Sequence, residues 1–205
     1  MNFAFSEEQD QLRDVVRRFV EEKSSEEEVR RLMDTEVGYD PNVWAQMANE
    51  LGLQSLHIPE EFGGQGFSFV ELAIVFEEQG RRLLCSPYFA TVALATNAIL
   101  NAGTSDEKAA LLPGIASGET IATLAFTEPN GRWDADGITM IAREDGGGWV
   151  LDGTKMFVID GNNADLIVVA ARTAGTSGEA GISFFTVTGD AQGLTRTALA
   201  TMDQT

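Results

Sequence analysis

The hydrophobic pattern of this chain changes period once, near Gly118, and that change limits the architectures open to it. Before Gly118 apolar residues recur every three or four positions, as on one face of a helix. Ser6 with Gln9 forms a capping box, and Leu12, Val15, Val16, Phe19 and Val20 make a buried stripe behind it. Ser25 with Glu28 opens a second, polar helix. Asp40-Pro41 is an N-cap with Pro at the first helical position, Trp44, Met47, Ala48 and Leu51 form that helix's stripe, and Gly52 stops it. "LHIPEEFGGQGF" breaks the period and reads as an ordered loop, because Leu56, Ile58 and Phe62 can be buried. Ser68 with Glu71 caps a helix striped by Leu72, Val75 and Phe76. "YFATVALATNAILNAG" is apolar enough for the centre of a bundle, and Thr104 with Glu107 caps a last helix expected to break at Pro113.

After Gly118 the runs are short and β-rich: "TIATLAFTE", "GITMIARED", "GWVLDGTKMFVI", "DLIVVAART" and "GISFFTVTG". Gly146-Gly147-Gly148 marks a turn, and Asp152-Gly153 predicts a hairpin between "WVL" and "TKMFVI". The expected fold is therefore α+β: an all-helical bundle over 1–118, then an antiparallel sandwich or barrel-like domain over 119–205.

With 32 acidic against 14 basic residues the net charge is −18, which argues against a nucleic-acid partner. No stretch approaches the roughly 20 apolar residues of a membrane span, and the N-terminus has no secretory pattern. A single cysteine, Cys85, reads as core filler and fits a cytoplasmic setting. One histidine and no Cys/His cluster leave no metal site to name. His57 reads as a structural residue capping a turn, and the glycine run lacks the context and lysine of a phosphate loop.

The stretches with chemical interest are "LAFTEPNGRWDADG" and "KMFVI". Thr127 can offer a hydroxyl and an amide to a planar ring, with Phe126, Trp133 and Phe157 against its faces or edge. The competing reading makes Glu128-Pro129 a rigid turn and the aromatics core.

Four segments, "FSEEQDQLRDVVRRF", "GLQSLHIPEEFGGQG", "LLPGIASGETIATLAFTEP" and "VLDGTKMFVID", resemble, in order, those of the flavin-dependent acyl-CoA dehydrogenases. The resemblance implies a helical domain, a middle β-domain and a C-terminal helical domain. It implies FAD as cofactor, an acyl-CoA substrate, an electron-transfer flavoprotein-type acceptor and a homo- or hetero-oligomer. Leu124, Phe126 and Thr127 then lie along the flavin with Thr127 on its pyrimidine edge. Phe157 stands where the family has Trp, and Ile159 where it has a flavin-bonding threonine. Thr91, Leu94 and Ala95 fall near an acyl tail, which leaves room for a steroid or other bulky acyl group.

The usual continuation "T-E-P-x-A-G-S-D" is "TEPNGRWD" here. Trp133 replaces a serine that touches cofactor and CoA, Arg132 can meet a phosphate, and Asp160 replaces Asn. The family's catalytic glutamate belongs to the C-terminal domain, so no catalytic residue is assigned, and Glu128 is expected to be structural. The chain is expected to be a fragment, with a short non-catalytic subunit of a heteromeric enzyme as the alternative.

Overall fold

The computed structural model describes residues 4–202. Two compact units are formed, one by residues up to Phe89 with Thr104–Glu119, the other by Ala90–Gly103 with Thr120–Leu199.

In the first unit the helices begin where the caps predict. α1 (Glu7–Lys23) and α4 (Phe69–Arg82) carry reciprocal boxes from Ser6/Gln9 and Ser68/Glu71, and α6 (Ser105–Ala116) one from Thr104/Glu107. α2 (Glu26–Met33) has half a box: Ser25 accepts from the Glu28 amide, while the Glu28 carboxylate turns to Arg31 at 2.9 Å. In α3 (Pro41–Asn49) Asp40 accepts from the Asn42 amide, and Gly52 follows in the left-handed conformation. Trp44 and Met47 are buried, and the Trp44 indole donates to the Gly118 carbonyl at 2.8 Å. A Cβ on Gly118 would lie 2.6 Å from Ala48, so only glycine fits that closure.

The expected break at Pro113 does not occur, and α6 runs through it to Ala116. Proline removes one backbone donor, but Leu112 and Ile115 on either side are fully buried, and their packing holds the last turn.

In the second unit the bundle-centre segment is a π-helical turn, Phe89–Ala95, of which Ala90 onward belongs here, leading into α5 (Thr96–Ala102). The expected five strands are β1 (Ala122–Ala125), β2 (Ile141–Asp145), β3 (Gly148–Asp152), β4 (Leu166–Thr173) and β5 (Ile182–Thr188). The sheet is mixed rather than antiparallel. β4 pairs parallel with β1 and with β2, and antiparallel with β5, while β2 and β3 form a hairpin. β4 explains the difference: residues 166–171 are all buried and apolar, the continuous run of a strand that neighbours flank in parallel.

The predicted hairpin at Asp152-Gly153 is absent. β3 ends at Asp152, and the reversal lies at Gly146-Gly147, both with positive φ. Among the described residues no helix is long and apolar enough to cross a membrane, and no acidic, His or Cys group could hold a metal ion.

Candidate functional site

The segment after β3 looks like a strand by its alternation but cannot continue as one, because Phe157 and Asp160 have φ of 52° and 53°. Instead it runs back along β1. The Met156 amide donates to the Thr127 carbonyl at 2.8 Å, and the Thr123 hydroxyl donates to the Ile159 carbonyl at 2.6 Å. Residues 123–127 and 155–159 therefore lie side by side in opposite directions. This brings five predicted contacts together on two adjacent segments: Leu124, Phe126, Thr127, Phe157 and Ile159.

A buried ion pair fixes their spacing. Lys155 Nζ lies 2.7 Å from Glu128 Oε1, and the two side chains are only 7% and 4% exposed. Lys155 also donates to the Phe126 carbonyl at 3.4 Å. Glu128 accepts from the Thr139 and Met140 amides at 3.0 Å and from the Thr139 hydroxyl. Burial works against the charge of both partners, yet the donors around Glu128 hold its carboxyl below the ordinary range. For Lys155 burial wins and the ammonium is pushed down. Glu128 is thus structural, as the sequence predicts. Lys155 was missed by sequence reasoning; its signal is a lone charge in the apolar run "TKMFVI".

The outer layer contrasts with this. Trp133 is 80% exposed, Phe157 64% and Ile159 47%. Trp133 meets Phe126 edge to face, centroids 6.0 Å apart at 76°. Thr127 is buried, yet neither its hydroxyl nor its amide has a partner among the described residues. Every neighbouring polar side chain named above is paired; Thr127 is the exception. A planar ligand with one apolar face and a polar edge fits this arrangement, as the ring system of FAD requires.

Arg132 is held locally. Its guanidinium lies 2.8 Å from Asp134 and 3.4 Å from Asp136, which raises its already high pKa and lowers that of Asp134. A phosphate must compete with both aspartates for it.

Thr91, Leu94 and Ala95 lie on the π-helical turn. The Thr91 hydroxyl donates to the Ala122 carbonyl and accepts from its amide, both at 3.1 Å, so its bonding capacity serves to seat this turn on β1. Ala95 is fully buried and Leu94 half-buried, which leaves Leu94 the most accessible of the three. His57 does not cap a turn: neither ring nitrogen has a partner among the described residues. The ring is buried, 5.8 Å from that of Phe69, and burial lowers its pKa. Its place between Leu56 and Ile58, both in the core, explains why packing rather than a cap sets it.

The N-terminal domain model of the acyl-CoA dehydrogenases matches residues 6–119, and their middle-domain model matches residues 123–203. The chain belongs to the acyl-CoA dehydrogenase family, a family of flavoprotein oxidoreductases. The acyl-CoA dehydrogenase IpdE2 of Mycolicibacterium smegmatis is 40% identical over 121 residues, 59% of this chain and 37% of its own. The ChsE4–ChsE5 complex of Mycobacterium tuberculosis superposes with a TM-score of 0.84 at 29% identity, covering 98% of this chain and 52% of that one. A glutaryl-CoA dehydrogenase of Mycobacterium smegmatis in complex with FADH2 does so with a TM-score of 0.76 at 27% identity, over 93% and 48%. The chain thus spans about half the length of such relatives or less.

Proposed function

We propose that this chain is the N-terminal and middle portion of an FAD-dependent acyl-CoA dehydrogenase acting in the cytoplasm. The observation that carries the reading is Thr127, a buried residue with an unpaired hydroxyl and amide beside exposed Trp133, Phe157 and Ile159. In this reading Thr127 bonds the polar edge of the flavin, Leu124 and Phe126 lie along it, and Phe157 and Trp133 cover apolar surface and keep water out. Bound FAD supplies the acceptor for a β hydride, while a base takes the α proton of the thioester. Glu128 is not that base, since it is consumed by Lys155, Thr139 and Met140. Leu94 flanks the acyl tail, with Thr91 and Ala95 forming the wall behind it. Arg132 exchanges Asp134 for a phosphate of the ligand. The assembly is an oligomer that passes electrons to an electron-transfer flavoprotein-type acceptor.

The test is flavin retention. The purified chain, alone and in the complete assembly, is expected to carry flavin absorption. Thr127→Val removes one hydrogen bond and weakens retention by about 3- to 10-fold. Colourless protein in both forms, or unchanged retention in the variant, overturns the assignment.

Ile159 and Trp133 favour a second reading. An apolar side chain stands where a flavin-bonding threonine is expected, and a bulky ring where a serine is expected. A non-catalytic subunit that completes a partner's site would tolerate both, and the similar ChsE4–ChsE5 structure is a complex of two differently named proteins. Ile159→Thr with Trp133→Ser leaves the activity of a heteromeric assembly unchanged if this is correct.

A further inference from the structure

Behind the loop that bears Arg132 and Trp133 lies a charge that no part of the proposed chemistry uses. Arg172, near the end of β4, is only 5% exposed and has no carboxylate partner among the described residues. A buried guanidinium normally needs one. Here its donors are spent on backbone and hydroxyl oxygens instead. Nε donates to the Ile138 carbonyl. Nη2 donates to the carbonyls of Ala135 at 2.7 Å and Gly178 at 3.0 Å. Nη1 donates to the Thr176 hydroxyl at 3.3 Å and the Ala180 carbonyl at 3.4 Å. One planar fork therefore ties residues 135–138 to residues 176–180, two loops that follow different strands. A direct bond adds to this, from the Gly178 amide to Asp136 Oδ1 at 2.8 Å. Asp136 also faces Arg132, so the tie continues to the loop's outer side. Within that loop Asn130 donates to the Gly137 carbonyl at 2.8 Å and accepts from the Arg132 amide at 2.9 Å. A Cβ on Gly137 would lie 2.7 Å from the Arg132 carbonyl, so the loop is closed on itself without slack.

We infer that Arg172 is a positioning residue: it makes the 130–138 and 174–181 loops one body, and so sets where Arg132 and Trp133 stand over an acyl-CoA ligand. The ligand part rests on the function proposed above; the mechanical part does not. Five oxygens at fixed angles are a task for a guanidinium fork, and a lysine of equal charge can satisfy only some of them. Both loops are expected to loosen together when the fork is lost.

Arg172→Lys tests this. Amide exchange at 135–138 and at 176–180 is expected to rise together by about tenfold or more, with the β4–β5 ladder unchanged. With 5-fluorotryptophan incorporated, the Trp133 fluorine resonance shifts or broadens, and those of Trp44 and Trp149 stay in place. Butyryl-CoA binding weakens by about 3- to 10-fold at a temperature where the variant is still fully folded. Exchange that rises in only one loop, in neither, or equally throughout the sheet overturns the proposal. Should wild-type protein fail to bind butyryl-CoA, the proposed function falls, while the exchange and fluorine results still decide the role of Arg172. If Arg172→Lys yields no folded protein, Asp136→Ala with Thr176→Val decides: these strip two outer contacts from the same tie, and exchange must again rise at both loops.

Discussion

Each unit of this chain buries one glutamate, and the two solve the same problem differently. Glu78, on α4 and fully buried, is surrounded by three arginines. Arg17 reaches it at 2.9 and 3.0 Å, Arg13 at 3.1 Å and Arg81 at 3.2 Å. Glu128, in the sheet unit, has one lysine and otherwise neutral donors. The arginines are partly solvated and share their load, whereas Lys155 is as buried as its partner. Redundant pairing tolerates the loss of a member; solitary buried pairing does not. The difference also follows position. The Glu78 cluster joins α1 to α4, while the Glu128 pair joins the two segments that carry the candidate ligand face.

The largest effect therefore belongs to Lys155. Lys155→Met leaves a buried carboxylate unpaired and is expected to cost about 3–5 kcal/mol of stability in urea unfolding at neutral pH. The sign of its pH dependence follows from Glu128. In the native protein that carboxyl is held low, so its contribution is present above the ordinary carboxylate range and is lost as pH falls through the lowered value. Without Lys155 the carboxyl can shed its charge by taking a proton, so the variant's deficit shrinks toward acid pH. A deficit that is small at neutral pH would show Glu128 to be as redundantly held as Glu78.

Asp160 comes next and has the opposite sign. It sits in a left-handed turn, its carboxyl pushed up to about 6 by burial, from an ordinary 3.8. The folded state therefore resists its charge. The penalty is full above pH 6 and disappears as pH falls through the unfolded value near 4. Asp160→Asn is expected to stabilise by about 1–3 kcal/mol at pH 8 and to be neutral at pH 4. Thermal unfolding at the two pH values measures this. Equal effects at both would mean the side chain is solvated.

How legible these features were depended on how local their causes are. Ser6, Ser68 and Thr104 announce their helices because a cap and its partner lie three residues apart. The five β runs were visible for a similar reason. Their order was not: β4 lies between strands that precede it and one that follows, and nothing within "DLIVVAART" records direction. What that run does record is burial on both faces, which was the available hint of parallel neighbours. The 153–160 segment misled because its alternation belongs to a strand, while its positive φ values at Phe157 and Asp160 are invisible in residue type. At the candidate site Thr127 could be named from its motif. Lys155 and Arg172 could not, since each acts through backbone groups that only tertiary structure gathers.

The smallest effect tests the redundant side of the comparison. Arg17→Ala removes two of the contacts on Glu78 and leaves Arg13 and Arg81 in place. Arg17 is itself partly solvated, so its charge is partly screened and its loss is absorbed by the remaining pairs. The urea midpoint is expected to move less than for either variant above, and less still in high salt. Adding Arg13→Ala should then cost more than the two single changes summed. The second arginine bears a load that it carries lightly while the first is present, and it also holds Glu77 at 2.6 Å. Additive losses would mean that Glu78 feels each arginine separately, and the two glutamates would differ only in how many partners they have.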